Sequence, residues 1–297
     1  MTDNEIIQNA QRLVGGQKVI TEDVPFHQTS FIYKTSNEDF SLYDYLYNGK
    51  QKILTVEGSG DQILNALAKG IIDITAFDIS VYPRYFTDLK LSTLLTCPKN
   101  EFEQFFYQLS TYDKDFDSDT FDNIVEAMQQ HSFSGWNPEK SLIFWNSLFC
   151  FFEGFDIYNS RLFSSEPYSL TTIKERNLFL DSNTYKQIKK RIPELKLTHK
   201  VGNITEIAKD NSEQYDIINL SNIISYSLDG TGTASLQKYL NLLRTLPLAD
   251  DGIAITYLFN LSSKLEDCIR RDFYDVNYDL VTKDKSKDAV LVYKKKV

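Results

Sequence analysis

The sequence has few of the residues that build covalent or metal-held frameworks: its 297 residues include only three cysteines and three histidines. The cysteines are far apart and form no CxxC pair: Cys97, Cys150 and Cys268. The histidines have no histidine partner three or four residues away: His27, His131 and His199. Neither a disulfide framework nor a metal site is therefore indicated, and the sparse cysteines favour a reducing compartment.

Long hydrophobic runs and an excess of positive charge are also missing. The most apolar stretch, residues 142–152, is about half as long as a membrane span and contains Asn146 and Ser147. The first five residues are polar and acidic, unlike a secretory signal. Lys and Arg number 32 against 41 Asp and Glu, and the net charge of −9 repels polyphosphate. We expect a soluble, cytoplasmic protein without a transmembrane segment, whose partner is not a nucleic acid.

Aromatic residues, in contrast, are abundant, with 20 Phe and 18 Tyr. The hydrophobic fraction of 42% and the charged fraction of 25% are those of an ordinary globular chain. The length favours one elaborated domain, or one core domain with an insertion.

A strand–turn–helix–strand pattern begins at residue 52. Residues 52–56 form a short apolar run, residues 57–61 form a turn with two glycines, and residues 62–69 have helical apolar spacing. A second apolar run follows at residues 71–77. Two nearly continuous apolar strands around a helix predict a βαβ unit in a parallel sheet that is covered on both faces.

After this unit the pattern becomes helical and later returns to alternating strands. Apolar residues recur at helical spacing from residue 79 to about residue 170, which predicts a helical insertion. Further strands are predicted at residues 195–199, 215–220 and 252–258, and a terminal antiparallel hairpin at 274–282 and 289–294. We therefore expect an N-terminal helical and loop cap (1–50), an α/β domain (51–80 and 171–297) and a helical insertion (81–170).

The glycine turn lies at the carboxyl end of a predicted parallel strand, where open α/β sheets bind ligands. Without β-carbons, Gly58 and Gly60 let a ligand approach the backbone closely. Asp78 ends the next strand, and a carboxylate there can accept two hydrogen bonds from ribose hydroxyls. This combination favours a cofactor that contains adenosine, and the alternative is a tight turn with a capping aspartate.

The residues around the glycines select among such cofactors. The dinucleotide pattern GxGxxG requires a third glycine where this chain has Ile63, and no GxxxxGK[ST] pattern occurs. Glu57 and Asp61 would repel a pyrophosphate but suit the ammonium group of a methionine tail. S-adenosylmethionine is therefore the predicted cofactor.

Together these features resemble the class I S-adenosylmethionine-dependent methyltransferase fold, a Rossmann-like sheet that is parallel with a C-terminal antiparallel hairpin. More narrowly, the chain resembles the S-adenosylmethionine:diacylglycerol 3-amino-3-carboxypropyltransferases and their shorter bacterial relatives. Residues spread from about 30 to 260 carry this resemblance: Ile32-Tyr33, Ser36-Asn37-Glu38, 54–62, Asn65, Phe77-Asp78, 88–91, Glu101-Phe102, Phe144-Trp145, 153–155, 215–223 and Tyr226. Between its helical insertion and its third strand, the chain is shorter than those diacylglycerol transferases.

The resemblance implies a set of cofactor contacts. Residues of the glycine turn would line the methionine and ribose part: Glu57, Gly58, Ser59 and Gly60. Asp78 would hold the ribose, and Asn203 with Ile204 would border the adenine. Residues at the end of the fourth strand would face the reacting sulfonium: Asn219, Ser221 and Asn222. The segment from Tyr33 to Glu38 would cap the pocket.

The reaction itself is left open by the sequence. Tyr226 and Glu38 are candidate general bases, although such residues more often form local hydrogen bonds. We predict a transferase that moves a methyl or a 3-amino-3-carboxypropyl group to a small-molecule or lipid acceptor, with the insertion forming the acceptor pocket. The alternative is a module that binds S-adenosylmethionine or a partner protein without catalysis.

Overall fold

The computed structural model describes the chain in nine segments: residues 2–14, 35–107, 118–130, 137–151, 169–209, 213–224, 233–273, 276–282 and 287–295. All structural statements below concern these residues. They contain a seven-stranded sheet with helices on both faces. No helix among them is long and apolar enough to cross a membrane.

The sheet is parallel except at one edge. Its strands are β1 (Lys52–Val56), β2 (Asp73–Asp78), β3 (Lys196–Val201), β4 (Tyr215–Asn219), β5 (Leu248–Leu258), β6 (Tyr278–Thr282) and β7 (Ala289–Lys294). They lie in the order β3-β2-β1-β4-β5-β7-β6. Strands β1 to β5 pair in parallel, and β7 pairs antiparallel with both β5 and β6. This arrangement confirms the predicted Rossmann-like sheet with its C-terminal antiparallel hairpin.

Helices connect and cover these strands. Those before β3 are α1 (Asp3–Val14), α2 (Asp61–Ala68), α3 (Tyr82–Thr96), α4 (Lys99–Tyr107), α5 (Ser118–Gln130), α6 (Glu139–Phe151), α7 (Leu170–Arg176) and α8 (Ser182–Arg191). Those after β3 are α9 (Ile204–Ile207), α10 (Thr233–Thr245) and α11 (Ser263–Asp272). Short 3-10 turns lie at Phe40–Leu42, Asp44–Tyr47, Leu178–Leu180 and Ile192–Glu194.

Period-two alternation in the strands divides the apolar side chains between two cores. Ile53 and Ile217 contribute to the core on one face, whereas their neighbours Leu54 and Ile218 contribute to the core on the other face. The first core is covered by α2 to α6 and α8, and the second by α9 to α11. The buried residues of α3 to α6 join the first core directly, and α1 packs against α6. The helices that follow β2 therefore form part of the layer that covers the sheet.

The largest differences from the predicted strand boundaries are at the starts of β5 and β6. Strand β5 begins at Leu248 and not at Gly252, because a β-bulge shifts its register against β4 between Tyr215 and Ile217. A β-carbon on Gly252 would lie 2.9 Å from the carbonyl oxygen of Tyr215, so this glycine marks the close approach at the bulge. Strand β6 begins at Tyr278, and residues 274–275 of the predicted strand lie outside the described residues.

Candidate functional site

The carboxyl ends of four parallel strands meet at one edge of the sheet. The register pairs Val56 of β1 with Phe77 of β2, and Asp78 of β2 with Val201 of β3. On the other side of β1, Thr55 pairs with Asn219 of β4. The side chains that follow these residues are brought together although the sequence separates them widely.

The turn between β1 and α2 has room beside one of its two glycines. Its carbonyl at Glu57 accepts a hydrogen bond from the Gly60 amide at 2.8 Å, which closes the turn. Gly58 has φ +52° and Gly60 has φ +80°, a region that favours glycine. A β-carbon on Gly60 would lie 2.8 Å from Oγ1 of Thr87, whereas a β-carbon on Gly58 would meet no atom of the described residues within 4 Å. Gly60 is therefore required by packing against α3, and Gly58 faces open space.

Asp78 lies beside this open space at the end of β2. Its carboxylate accepts hydrogen bonds from the backbone amides of Gly58 at 3.3 Å and Ser80 at 3.1 Å. Burial raises the pKa of Asp78 to about 7, and the nearby carboxylate of Glu57 contributes in the same direction. The carboxylate is thus poised to gain from an additional hydrogen-bond donor.

Glu57 forms part of a buried charge cluster with His199 and Asp88. Nδ1 of His199 lies 2.9 Å from Oε1 of Glu57, and Nε2 lies 3.7 Å from Oδ1 of Asp88. Burial alone would lower the pKa of His199, but the two carboxylates outweigh it and raise the pKa to about 9. The imidazole is therefore a cation at neutral pH.

Asp61 pairs with a cation supplied by the chain itself. Its carboxylate forms a fully buried ion pair with Nζ of Lys90, which also lies over the rings of Phe86, Phe106 and Tyr107. The same carboxylate accepts hydrogen bonds from Thr35 and Ser36, each at 2.7 Å. Asp61, at the start of α2, thus anchors both α3 and the segment that begins at residue 35.

Residues 35–39 cross the carboxyl edge of the sheet. The backbone amide of Asp39 donates a hydrogen bond to the hydroxyl of Tyr257 on β5 at 3.1 Å. Arg176 of α7 donates to the carbonyl of Asn37 at 2.8 Å. This anchored segment carries Glu38 to the end of β4.

Glu38 is buried among hydrogen-bond donors from three parts of the chain. Its carboxylate accepts hydrogen bonds from Tyr43 and from Gln62 of α2, each at 2.9 Å, and a short one from Ser221 after β4. Burial raises the pKa of Glu38 above its ordinary range, although these hydrogen bonds oppose the shift. Because of its raised pKa, this carboxylate is a stronger proton acceptor than an exposed glutamate.

The residues after β4 are held in an unusual conformation. Ser221 has φ +52°, although it is not a glycine, and its amide donates to Oδ1 of Asn219 at 2.8 Å. Nδ2 of Asn219 donates to the hydroxyl of Tyr47 at 2.9 Å and to Oε1 of Gln62 at 3.3 Å. Ser221 and the adjacent Asn222 are half-buried. Left-handed backbone at such a residue is most often found where it positions a functional group.

The other residues that the sequence predicted for the site lie in the β3–α9 connection, in the glycine turn or outside the described residues. Asn203 is exposed and caps α9 by accepting a hydrogen bond from the Thr205 amide at 3.0 Å, while Ile204 is buried. The neighbouring Gly202 donates to the carbonyl of Asp78 at 2.8 Å. Ser59 is buried in the turn. Tyr33 and Tyr226 lie outside the described residues.

Sequence reasoning missed the charged partners Lys90, Asp88 and His199. The sequence contains one signal that His199 is buried. It lies two residues after the buried Leu197 in β3, and alternate residues of a strand point to the same face of the sheet. Nothing local distinguishes Lys90 or Asp88 from exposed helix residues. In the part of the chain that the structure describes, no group of three or more His, Cys, Asp or Glu side chains is arranged so that it could hold a metal ion.

The strand order defines a class I methyltransferase-like α/β fold. No protein-family model and no curated protein sequence matches the chain. Among solved structures, the rRNA methyltransferase aviRa from Streptomyces viridochromogenes is similar over 99% of this chain and 93% of its own, at 8% identity and a TM-score of 0.46. Precorrin 8w decarboxylase from Methanobacterium thermoautotrophicum is similar over 88% of this chain and 91% of its own, at 13% identity and a TM-score of 0.36. Similarity this low says nothing about substrate or reaction.

Proposed function

We propose that this protein binds S-adenosylmethionine at the β1–α2 turn and transfers a group from its sulfonium to an acceptor. The observation that carries the proposal is the open space at Gly58, which adjoins the carboxylate of Asp78 and the backbone of the glycine turn. In open α/β sheets, ligands usually bind outside the carboxyl ends of the parallel strands, where this turn lies.

The residues present fit such a ligand. In this proposal the carboxylate of Asp78 accepts hydrogen bonds from the ribose hydroxyls, and Glu57 with the amides of the turn binds the methionine tail. Ile204 and Asn203 border the adenine, beside the contact of Gly202 with Asp78. The role assigned to Asp61 is indirect, because its carboxylate already pairs with Lys90 and anchors residues 35–36 over the site.

The chain would act mainly by alignment. A bound sulfonium supplies an activated carbon, so the protein need only hold a nucleophile in line with it, which can contribute about 7–11 kcal/mol. Asn219, Ser221 and Asn222 would border the reacting group, and Glu38 would take the acceptor's proton through the hydroxyl of Ser221. Tyr226 remains a second candidate for that role from the sequence.

Glu38→Gln tests the proton-accepting role. The variant keeps the size of the side chain but has no carboxylate, and loss of a general base lowers a rate by about 100-fold or more. We expect product formation to fall by that factor while the affinity for S-adenosylmethionine changes little. A rate equal to that of the native protein would exclude Glu38 as the base.

The transferred group is identified by the product of the cofactor. The protein is incubated with S-adenosylmethionine and cell extract, and the nucleosides are analysed by mass spectrometry. S-adenosylhomocysteine indicates methyl transfer, and methylthioadenosine indicates transfer of the 3-amino-3-carboxypropyl group. We expect the native protein to form more of one of these products than the Asp78→Ala variant, which serves as the control. The acceptor in our proposal is a small molecule or a lipid.

If neither product forms while the ligand still stabilises the protein, the second candidate, a binding module without catalysis, replaces the transferase. A ligand at one hundred times its dissociation constant stabilises the folded state by about 2.7 kcal/mol. The absence of any thermal shift with S-adenosylmethionine would overturn both.

A further inference from the structure

His199 is buried beside the glycine turn, but the ligand contacts proposed above do not include it. It lies on β3 opposite Ala76 of β2, and its side chain is only 5% exposed. The imidazole lies between Glu57, the first residue of the turn, and Asp88 of α3. It therefore connects the turn that would hold the ligand to a helix of the covering layer.

We propose that His199 is a positioning residue of the cofactor site, which fixes the carboxylate of Glu57 beside Gly58 by bridging it to Asp88. The inference rests on the proposed function, since it takes the β1–α2 turn to be the ligand site. The position of Glu57 matters for the turn because its backbone carbonyl accepts the hydrogen bond from the Gly60 amide that closes the turn.

The two carboxylates depend on His199 unequally. Asp88 also accepts a short hydrogen bond from Ser141 of α6, and Nε of Arg84 lies 3.8 Å from its Oδ2. Within the described part of the chain, neither Oε1 of Glu57 nor either ring nitrogen of His199 forms a hydrogen bond of good geometry, so the 2.9 Å contact between Oε1 and Nδ1 is an ion pair. Removal of the imidazole therefore leaves Glu57 as the buried charge without compensation, which is costly in a dry environment.

The bridge predicts how binding depends on pH. The titratable or charged groups that face it are Glu57, Asp88, Arg84 and, through Glu57, Asp78. The pKa of His199 is about 9 in the folded protein against an ordinary 6.5. The charged imidazole therefore stabilises the folded state fully below about pH 6.5, and this stabilisation is lost as the pH rises through about 9. We expect ligand affinity to weaken in alkaline solution as well, because a neutral imidazole no longer holds the Glu57 carboxylate by charge beside the turn.

Calorimetric titration with S-adenosylhomocysteine, which lacks the sulfonium, measures this dependence between about pH 7 and pH 10. We expect the native protein to bind several-fold more weakly at the upper limit. His199→Gln can donate one hydrogen bond to Glu57 but carries no charge, so it should bind several-fold more weakly than the native protein near pH 8 and approach native affinity near pH 10. His199→Ala should bind roughly tenfold more weakly near pH 8. The ligand's own amine titrates in the same way with all three proteins, so its effect cancels in the ratios of their dissociation constants.

An alkaline decline in His199→Gln equal to that of the native protein, or native affinity in His199→Ala, would overturn the inference alone. Native protein that binds the probe at no pH would overturn the proposed function and this inference with it. Should His199→Ala not fold, the His199 ring can be titrated by NMR in the native protein. We expect a pKa of about 9 that falls in Glu57→Gln, and an ordinary value in the native protein contradicts the bridge.

Discussion

At the scale of single residues, Asp78 illustrates how a binding group can oppose stability. Its pKa of about 7 in the folded protein, against an ordinary 3.8, means that the folded state favours the neutral form. The stabilisation by that form is present below about 3.8 and is lost as pH rises through about 7. A ligand that donates hydrogen bonds to the carboxylate favours the ionised form and recovers part of this loss.

Asp78→Asn separates these effects. We expect the variant without ligand to melt at or above the native temperature near pH 8, because the buried charge is removed. The thermal shift caused by S-adenosylmethionine in the native protein, about 5 °C at saturating ligand, should be lost. Differential scanning fluorimetry near pH 6 and pH 8 with and without ligand measures both. A variant that melts lower and keeps the ligand shift would contradict this account of Asp78.

At the scale of elements, the β1–α2 turn contains two glycines with different roles. Gly60→Ala should destabilise the fold, because its β-carbon would lie 2.8 Å from Oγ1 of Thr87 and the backbone is at φ +80°. Gly58→Ala should cost only about 1–2 kcal/mol of conformational strain but occupy the space proposed for the ligand. Melting temperatures and ligand affinities of the two variants, with Thr87→Ala as a partial rescue of Gly60→Ala, test this. Strong ligand binding by Gly58→Ala would place the ligand elsewhere.

The buried pair between α2 and α3 is a second element-scale feature. Lys90→Met leaves Asp61 as an unpaired buried carboxylate, and breaking such a pair costs about 3–5 kcal/mol. Addition of Asp61→Asn should restore much of the stability, because the uncompensated charge is then gone. Urea denaturation compares both variants with Arg270→Met, which breaks an exposed pair with Glu266 and should have little effect. Equal loss in the single and double variants would show that packing of the lysine stem, and not charge, is responsible.

At the scale of the whole molecule, the described helices that follow β2 share one core with the sheet. Residues such as Leu94 of α3 and Trp145 of α6 are fully buried in the same cluster as Ile53 and Ile74 of the sheet. The helical insertion at residues 81–170 stays a prediction, and because the described helices share the core of the sheet, we expect them to unfold together with it.

Unfolding monitored in two places tests this unit. Trp136→Phe leaves Trp145 as the only tryptophan, and its fluorescence follows α6 while far-UV circular dichroism follows the whole chain. We expect the two transitions to coincide. Leu94→Ala should lower the free energy of unfolding by about 2–5 kcal/mol and shift both midpoints equally. Earlier loss of the fluorescence signal would identify α3 to α6 as an independently unfolding domain.

Most of the sheet could be predicted because its signals are local. The alternation of apolar residues, the glycines at 58 and 60 and the acidic residue at the end of β2 lie within a few residues of the structures they specify. Errors occurred where a long-range contact decides a boundary, as at Gly252, whose bulge depends on the backbone of Tyr215.

By itself the sequence determined the class of fold and the place of the candidate site, because strand periodicity and turn chemistry are properties of short segments. Only the tertiary structure decided which side chains meet there. Glu38 reaches Ser221 across 183 positions, Asp61 is paired with Lys90, and His199 lies between Glu57 and Asp88. Such partners are chosen by the packing of elements that are distant along the chain, and burial then gives their charges an effect on pKa and stability that no local pattern encodes.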